Sequence, residues 1–413
     1  MTKNHSRVFL PELLAPAGSL EKLKIAVNYG ADAVYCAGQR FGLRAAADNF
    51  TLDELAEGVT YAHERGAKVF VVLNGFLHDH DLLALPDFVS YLQDIAVDAV
   101  IASDLGVIKT VARHSRLPIH LSTQASCLNS ATASLWKKAG VTRLVLGRET
   151  SIEEAGKIKR ETGLEVELFI HGSMCMAYSG HCVISNYTQG RDSNRGGCSH
   201  SCRHDYEVTD EQGNKKNSFF MSSKDLRGLE LLPYFSQYEI DSLKIEGRMK
   251  GPLYAANSTR TYRQALDLLR AGEWSPDLAA QLEQELEKMA HRSYTSASLS
   301  KPANFESVYH DRETEFSDYE CSGVVIGETE RDLLIEVRAK FFSGDELELL
   351  PFRGPKLILS AEDLRDFRNQ PLDSTRPGYV VRVRRPIAAE MPEQFTGQIL
   401  RRHSPETTAQ VSI

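Results

Sequence analysis

Cysteine and tryptophan are scarce in this chain, at seven and two of 413 residues. A chain of this length buries a large core without covalent staples. No apolar run reaches the roughly 20 residues needed to cross a bilayer, so no membrane partner is expected. The opening MTKNHSRVFLPELLAPAGS lacks the continuous apolar segment of a secretory leader, because Pro11 and Glu12 interrupt it. The expectation is a cytoplasmic protein, a setting in which structural disulfides are rare. Positive charge is not in excess either. The net charge of −8 argues against a protein that coats nucleic acid without selectivity. Several motifs are also missing. No GxGxxG follows the first strand-like run, which weakens a dinucleotide-binding reading, and neither a GxSxG elbow nor an HExxH zinc helix is present. Repeats are confined to alternating β/α units, and no segment is of low complexity.

The cysteines that do occur are gathered in one place. Cys175, Cys182, Cys198 and Cys202 form a C-x6-C-x15-C-x3-C pattern within HGSMCMAYSGHCVISNYTQGRDSNRGGCSHSCRHDY, a stretch rich in Gly, Ser, Asn and Arg. A packed core does not keep thiols in such company. Ligation does, because thiolates need loop backbone that bends around a metal or cluster and N–H groups that donate to sulfur. The spacing matches neither common ferredoxin patterns nor paired C-x2-C zinc ribbons. Metal, iron–sulfur and disulfide readings therefore stay open, with compartment weighing against the last. Arg191, Arg195 and Arg203 lie nearby and allow a local basic groove.

Short β-branched runs alternate with amphipathic segments through the first 250 residues. The runs are ELLAP from Glu12, DAVYCAG from Asp32, KVFVVLN from Lys68, DAVIASD from Asp98, PIHLSTQ from Pro118, RLVLGRE from Arg143, EVELFIHG from Glu165 and SLKIEGRM from Ser242. Ser19, Thr51 and Ser151 open helices between them, the last two with the Glu of a capping box. Eight strands alternating with helices predict an α/β fold, a (β/α)8 TIM-like barrel over residues 1–250 with a cysteine-rich insertion at 171–206; a doubly wound open sheet is the alternative. Polar residues follow strand after strand: Asn74, Asp104, Ser122 to Gln124, Arg148, Glu149, His171, Glu246 and Arg248. In such barrels these positions form the active-site mouth. Residues 251–300 read as a helical segment, 301–318 as a polar linker, and 319–413 as a small β-barrel or sandwich domain. VVRVRRP and ILRRHS make that domain's tail basic, which reads as a solvated face or an RNA-contacting patch.

Together these residues resemble a known family. Glu167 to Ser185, ELFIHGSMCMAYSGHCVIS, is similar to the pattern of the collagenase-like peptidases of unassigned catalytic type. ELLAPAGS, GADAVY from Gly30, STQA from Ser122, SKDL from Ser223 and SLKIEGRMK also resemble that family, so the likeness covers residues 10–270 firmly and the β domain, through FFSGDELEL, more loosely. The resemblance implies two kinds of activity. One is a peptidase, although no nucleophile–base arrangement is visible. The other is hydroxylation, since members of the family hydroxylate a tRNA wobble uridine or a ribosomal RNA cytidine, or act as paired proteins in ubiquinone synthesis. These members carry a 4Fe–4S cluster, whose ligands map by resemblance onto Cys175, Cys182, Cys198 and Cys202. The single-chain layout looks most like the wobble-uridine members, which form 5-hydroxyuridine with prephenate as co-substrate. The partners so implied are a tRNA anticodon loop and an electron-donor protein. A non-catalytic iron–sulfur scaffold or redox sensor is a further alternative.

On that reading Arg44, Arg148 and Arg248 are the expected clamps for prephenate carboxylates, because arginine grips a carboxylate through two bonds and stays charged. Their alternative role is in salt bridges between loops. Glu149 and Glu246 are expected to orient the arginines or shuttle protons, and His171 to donate a hydrogen bond beside the cluster. Tyr178, Tyr187 and Tyr206 are candidates for contact with unstacked bases. The chain departs from the family in reading SGHC for SGRC, with His181 in place of Arg. It also reads HRSYTSAS (His291 to Ser298) for HRxYTxGF, which puts that loop's turn and docking in question. Cys36 is a possible substitute ligand, whereas Cys127 and Cys321 read as structural.

Overall fold

The computed structural model describes residues 8–43, 48–309, 315–386, 392 and 394–404. Eight parallel strands form a closed barrel: β1 (Glu12–Pro16), β2 (Ala33–Cys36), β3 (Lys68–Leu73), β4 (Ala99–Ala102), β5 (Ile119–Leu121), β6 (Arg143–Val145), β7 (Glu165–Ser173) and β8 (Ser242–Ile245). Closure comes from β8, which pairs with β1 on one side and β7 on the other. Seven lie within the runs read from sequence, and β7 passes the end of its run by one residue, Ser173. The helices between them start where the capping signals stand. Ser19 accepts from the Lys22 N–H, and Thr51 and Ser151 complete capping boxes with Glu54 and Glu154. These caps satisfy N–H groups that the first helical turn leaves orphaned.

The barrel interior is not wholly apolar. Glu167 of β7 is fully buried and lies 2.8 Å from the Lys244 ammonium of β8 and 3.5 Å from the Arg143 guanidinium of β6. Arg143 also binds Glu12 at 2.6 Å and Glu165 at 2.8 Å. One chain of alternating charges thus ties β6, β7, β8 and β1 across the seam where the barrel closes. Its members satisfy one another where water cannot.

Strand β7 contains an irregularity. Its register with β8 shifts between Phe169, opposite Lys244, and His171, opposite Ile245. A bulge adds a residue and breaks the inward–outward alternation. Phe169 lines the barrel mouth. His171 instead packs among the rings of Tyr254, Tyr262 and Tyr294, with centroids 5.5–5.9 Å away. Its Nδ1 lies 3.3 Å from the Tyr262 hydroxyl. The expectation that His171 supports the cysteine loop is corrected here, because the bulge turns it to a tyrosine-lined pocket outside the mouth. Burial pushes its imidazole down to about 3, so it is neutral at physiological pH.

Two helices, Pro252–Ala271 and Pro276–Leu286, follow the barrel. The loop from His291 to Ser298 docks on the rim despite its altered sequence. Tyr294–Thr295 pairs with the rim strand Asp225–Arg227, and Asp225 N–H donates to the Ser293 carbonyl at 3.0 Å. Ala297 adopts φ 43°, a left-handed conformation that a glycine takes without strain.

The C-terminal part is a seven-stranded antiparallel sheet, from Tyr319–Glu328 to Ile399–His403, wrapped around its own apolar cluster. Its basic tail is absorbed into ion pairs. Arg401 is fully buried and binds Glu348, Glu285 and Asn257 at 2.5–2.9 Å, which fastens the sheet to both helices. Arg402 pairs with Glu320 and Asp345, and Arg384 with Asp332 and Asp363. Neither the solvated-face nor the RNA-patch reading describes Arg401, which is a joint between domains.

Two predictions follow from the barrel. Glu167→Ala leaves Lys244 buried without its carboxylate and is expected to lower unfolding free energy by about 3–5 kcal/mol, measured by urea denaturation; Glu167→Ala/Lys244→Met should recover part of that loss. For His171, the folded value of about 3 lies below the ordinary 6.5, so the unfolded chain binds a proton that the fold refuses between these pH values. Stability should therefore fall as pH drops below 6.5, by up to about 1.4 kcal/mol per unit from this group. Thermal unfolding of His171→Phe should show a shallower acid slope than the parent.

Candidate functional site at the barrel mouth

The C-terminal strand ends enclose a cavity of about 80 Å³. Arg148, Arg248, Lys244, Glu246 and Cys175 all line it, with Asn74, Ser122 and Gln124 on the opposite wall. Two of the three expected arginines therefore meet here; Arg44 lies outside the described residues. Arg148 follows β6 and stacks its guanidinium on Phe169 of β7, 3.8 Å from the ring centroid. It sits 3.8 Å from Glu246, and its buried Nε has no hydrogen-bond partner among the described residues. Glu246 is held in turn by Tyr35, whose hydroxyl is 3.4 Å from the carboxylate and 3.0 Å from the Ile245 carbonyl. Arg248 is buried. Lys244 gives its charge to Glu167, and among the described residues Glu246 is the one carboxylate lining the cavity with Arg148 and Arg248. The wall carries a cationic excess and an unpaired N–H donor, which suits a small anion.

The insertion after β7 covers this mouth. It is seated on two barrel loops by contacts that leave no room for larger residues. Gly180 has φ +81°, and a Cβ there would lie 2.0 Å from the Gln124 carbonyl oxygen. Beside it Ser126 donates to the Ser179 carbonyl, and Thr123 donates to the Ser179 hydroxyl at 3.2 Å. On the other side Phe76 N–H donates to the Asn194 carbonyl at 3.0 Å, while Arg195 donates to the Phe76 carbonyl at 2.6 Å and pairs with Asp81 at 2.9 Å. Asn194 also donates to the Cys182 carbonyl at 3.1 Å. Arg203 is buried and binds the carbonyls of Met174 and Ser223, each at 2.6 Å. Of the arginines near the cysteines, Arg195 and Arg203 are thus builders of the insertion.

Cys175 is exposed and lines the cavity, while Cys182, Cys198 and Cys202 are half-buried. Cys202 feels the other three. Burial pushes the Cys202 thiol up, Arg203 holds it down, and Cys175, Cys198 and Cys182 add to the rise. Among the described residues no group of three His, Cys, Asp or Glu side chains is placed to hold a single metal ion. Four thiolates on one zinc stand about 3.8 Å apart, as follows from a 2.3 Å bond in a tetrahedron. A cluster spreads its thiolates over several irons and needs a wider set. The four thiols in a polar loop have the donor chemistry of a ligand set. Cys36 does not join them. It is fully buried in β2, and burial raises its thiol to about 12 against the pull of Arg248. Cys127 is likewise buried and raised to about 11.

A second, wider cleft of about 380 Å³ adjoins the mouth, and Arg148 and Cys175 line both. Glu149 faces this cleft and makes no ion pair with the arginines among the described residues; the carboxylate beside Arg148 is that of Glu246. Tyr178 also lines it. Tyr187 stands 88% exposed, and Tyr206 spends its hydroxyl on the Ser201 carbonyl at 2.7 Å. Sequence reading missed Lys244, Tyr35 and Phe169. Lys244 was discoverable, since a lysine between Leu243 and Ile245 in a buried strand points to a partner inside the barrel.

Comparison with known proteins agrees with this organisation. The pattern of peptidase family U32 matches residues 18–308, and that of the peptidase family U32 C-terminal domain matches residues 317–401. A protein of Bacillus subtilis named tRNA hydroxylation protein P1 is 40% identical over 380 residues, covering 89% of each chain. The tRNA hydroxylation protein P of Escherichia coli is 32% identical and covers 97% of this chain and 99% of its own. The 23S rRNA 5-hydroxycytidine C2501 synthase of Escherichia coli is 38% identical over 260 residues, which is 62% of this chain and 39% of that protein. With both domain patterns matched in order, this chain belongs to peptidase family U32.

Proposed function

We propose that this protein modifies tRNA, hydroxylating the wobble uridine to 5-hydroxyuridine with a 4Fe–4S cluster on Cys175, Cys182, Cys198 and Cys202 and prephenate as co-substrate. The observation that carries the reading is the seating of a four-thiol insertion over a cavity that presents Arg148 and Arg248, with Cys175 in the cavity wall. The names of the two tRNA hydroxylation relatives, which align over most of their length, support the same reaction. Under this reading the anticodon loop and an electron-donor protein are the partners, and the cytoplasm is the compartment. No helix among the described residues is long and apolar enough to cross a membrane.

Each residue has a task. The cluster, when bound, supplies the electron transfer that side chains cannot. Arg148 and Arg248 hold carboxylates of the co-substrate. The Phe169 stack and Glu246 fix the plane of the Arg148 guanidinium before the anion arrives, which lowers the ordering cost of binding. Lys244 contributes bulk and field, while its charge is spent on Glu167. The insertion covers the mouth and limits water, which strengthens the arginine–carboxylate attraction. The peptidase alternative meets an obstacle in the same cavity: among the described residues no histidine lines it to activate Ser122 or Cys175.

The experiment is nucleoside mass spectrometry of tRNA from a deletion strain complemented with variants. Alanine at Cys175, Cys182, Cys198 or Cys202 should abolish 5-hydroxyuridine and lower iron and sulfide in the purified protein, whereas Cys127→Ala should spare both. Full wobble hydroxylation in the deletion strain would refute the reading, and a cluster-bearing protein without RNA change would favour a scaffold or sensor. For the anion site, Arg148→Ala should weaken prephenate binding about tenfold to hundredfold, the loss of one charge-assisted contact. Arg148→Lys should restore only part, because an ammonium neither stacks on Phe169 nor forks onto a carboxylate. Calorimetric titration of the purified holoprotein measures both.

A further inference from the structure

The wider cleft has no task in the carboxylate site. One side of it is made of large, accessible apolar groups: Met176, Tyr178, Phe220 and Phe305 are 49%, 57%, 47% and 69% exposed. Such a group of side chains beside a reaction mouth marks a contact surface. Ala297 and Ser298 line the cleft as well and leave it wide. Glu149 lines it too and makes no hydrogen bond or ion pair among the described residues. Arg148 and Cys175 join the cleft to the cavity assigned above to the co-substrate, so an occupant of the cleft sits beside that molecule.

The chemistry of the walls selects the occupant. Methionine and aromatic faces hold a flat π-system. An ionised carboxylate accepts hydrogen bonds and donates none, so Glu149 favours a ring with an N–H at its edge. Uracil has an N–H at position 3, where cytosine has a bare acceptor. A base paired and stacked in a duplex cannot enter such a cleft, whereas a base splayed from a single-stranded loop can. We infer that this cleft seats one unstacked uracil of single-stranded RNA, with Tyr178 and Phe220 against the base and Glu149 accepting its N3–H. The inference rests on the tRNA-hydroxylation reading and specifies how that site takes and selects its base. Glu149, expected from sequence as a proton shuttle or arginine orienter, becomes a specificity residue.

The test titrates anaerobically purified holoprotein with fluorescein-labelled anticodon stem-loops that carry U or C at the wobble position. Tyr178→Ala and Phe220→Ala should each weaken the U stem-loop at least about fivefold, the loss of ~1 kcal/mol or more of base stacking, with prephenate binding unchanged; Tyr178→Phe should bind as the parent does. Arg248→Ala should show the opposite pattern, losing prephenate and keeping the stem-loop. Glu149→Gln should lose most of the preference for U over C, because an amide pairs with either base. All these side chains except Arg248 are accessible, and circular dichroism checks each fold. Unchanged stem-loop affinity in both aromatic variants would overturn the cleft assignment and leave the hydroxylation reading standing. Weakened binding with an unchanged U-to-C ratio in Glu149→Gln would overturn the role of Glu149. Parent protein that binds neither stem-loop would overturn both readings, and gelatin peptides bound in the cleft instead of RNA would give it to a polypeptide.

Discussion

The buried charge of Glu167 is the constraint around which the barrel closes. A carboxylate with no access to water is tolerable only when cations neutralise it at hydrogen-bond distance. Here the two cations come from neighbouring strands, Arg143 on β6 and Lys244 on β8. Arg143 extends the chain of charges to Glu12 on β1. These pairings need one register, because a slip of one residue would turn every member to the wrong face. The same register places Phe169, Lys244 and Glu246 at the upper end, where they shape the mouth. The foundation of the barrel and the geometry of its site are therefore one system, set by the same strand register.

Above this base the cysteine insertion behaves as a fitted roof. Its docking uses backbone approach at Gly180, hydroxyl bonds at Ser126 and Thr123, and two arginines that donate to carbonyl groups. Such contacts hold a polar loop without an apolar core of its own, which suits a segment that carries four cysteines. The C-terminal sheet follows the same economy of charge. Arg401 reaches from the last strand to Glu285 and Asn257 on the two helices, and Arg401 also holds the Glu285 carboxyl down at about 2 despite burial. What reads in the sequence as a basic tail is in large part internal mortar.

The alternation of β-branched runs with capped amphipathic segments made the eight strands and their helices legible, because burial on both faces and orphaned N–H groups leave local marks. The cysteine spacing and the polar residues after the strands marked the mouth for the same reason. Arg148, Arg248 and Glu246 do converge there. Other features were hidden. His171 looked like a mouth residue from its place at the end of the seventh apolar run, but β7 continues through it with a bulge, and it packs in a cage of tyrosines contributed from positions up to 123 residues away. Glu149 and Glu246 looked equivalent; packing gave one to Arg148 and left the other at the neighbouring cleft.

Sequence by itself determined the barrel's element types, their order, the cysteine-bearing loop and the chemical character of the mouth, since each follows from local periodicity, capping or composition. Tertiary structure alone decided which charges pair, which arginines line the mouth and which build, and where the aromatic cleft opens. Those outcomes depend on distances between segments remote in the chain. Glu167 needs Lys244, Arg148 needs Phe169 and Glu246, and Gly180 needs Gln124, and no local pattern encodes such pairings before the barrel has closed.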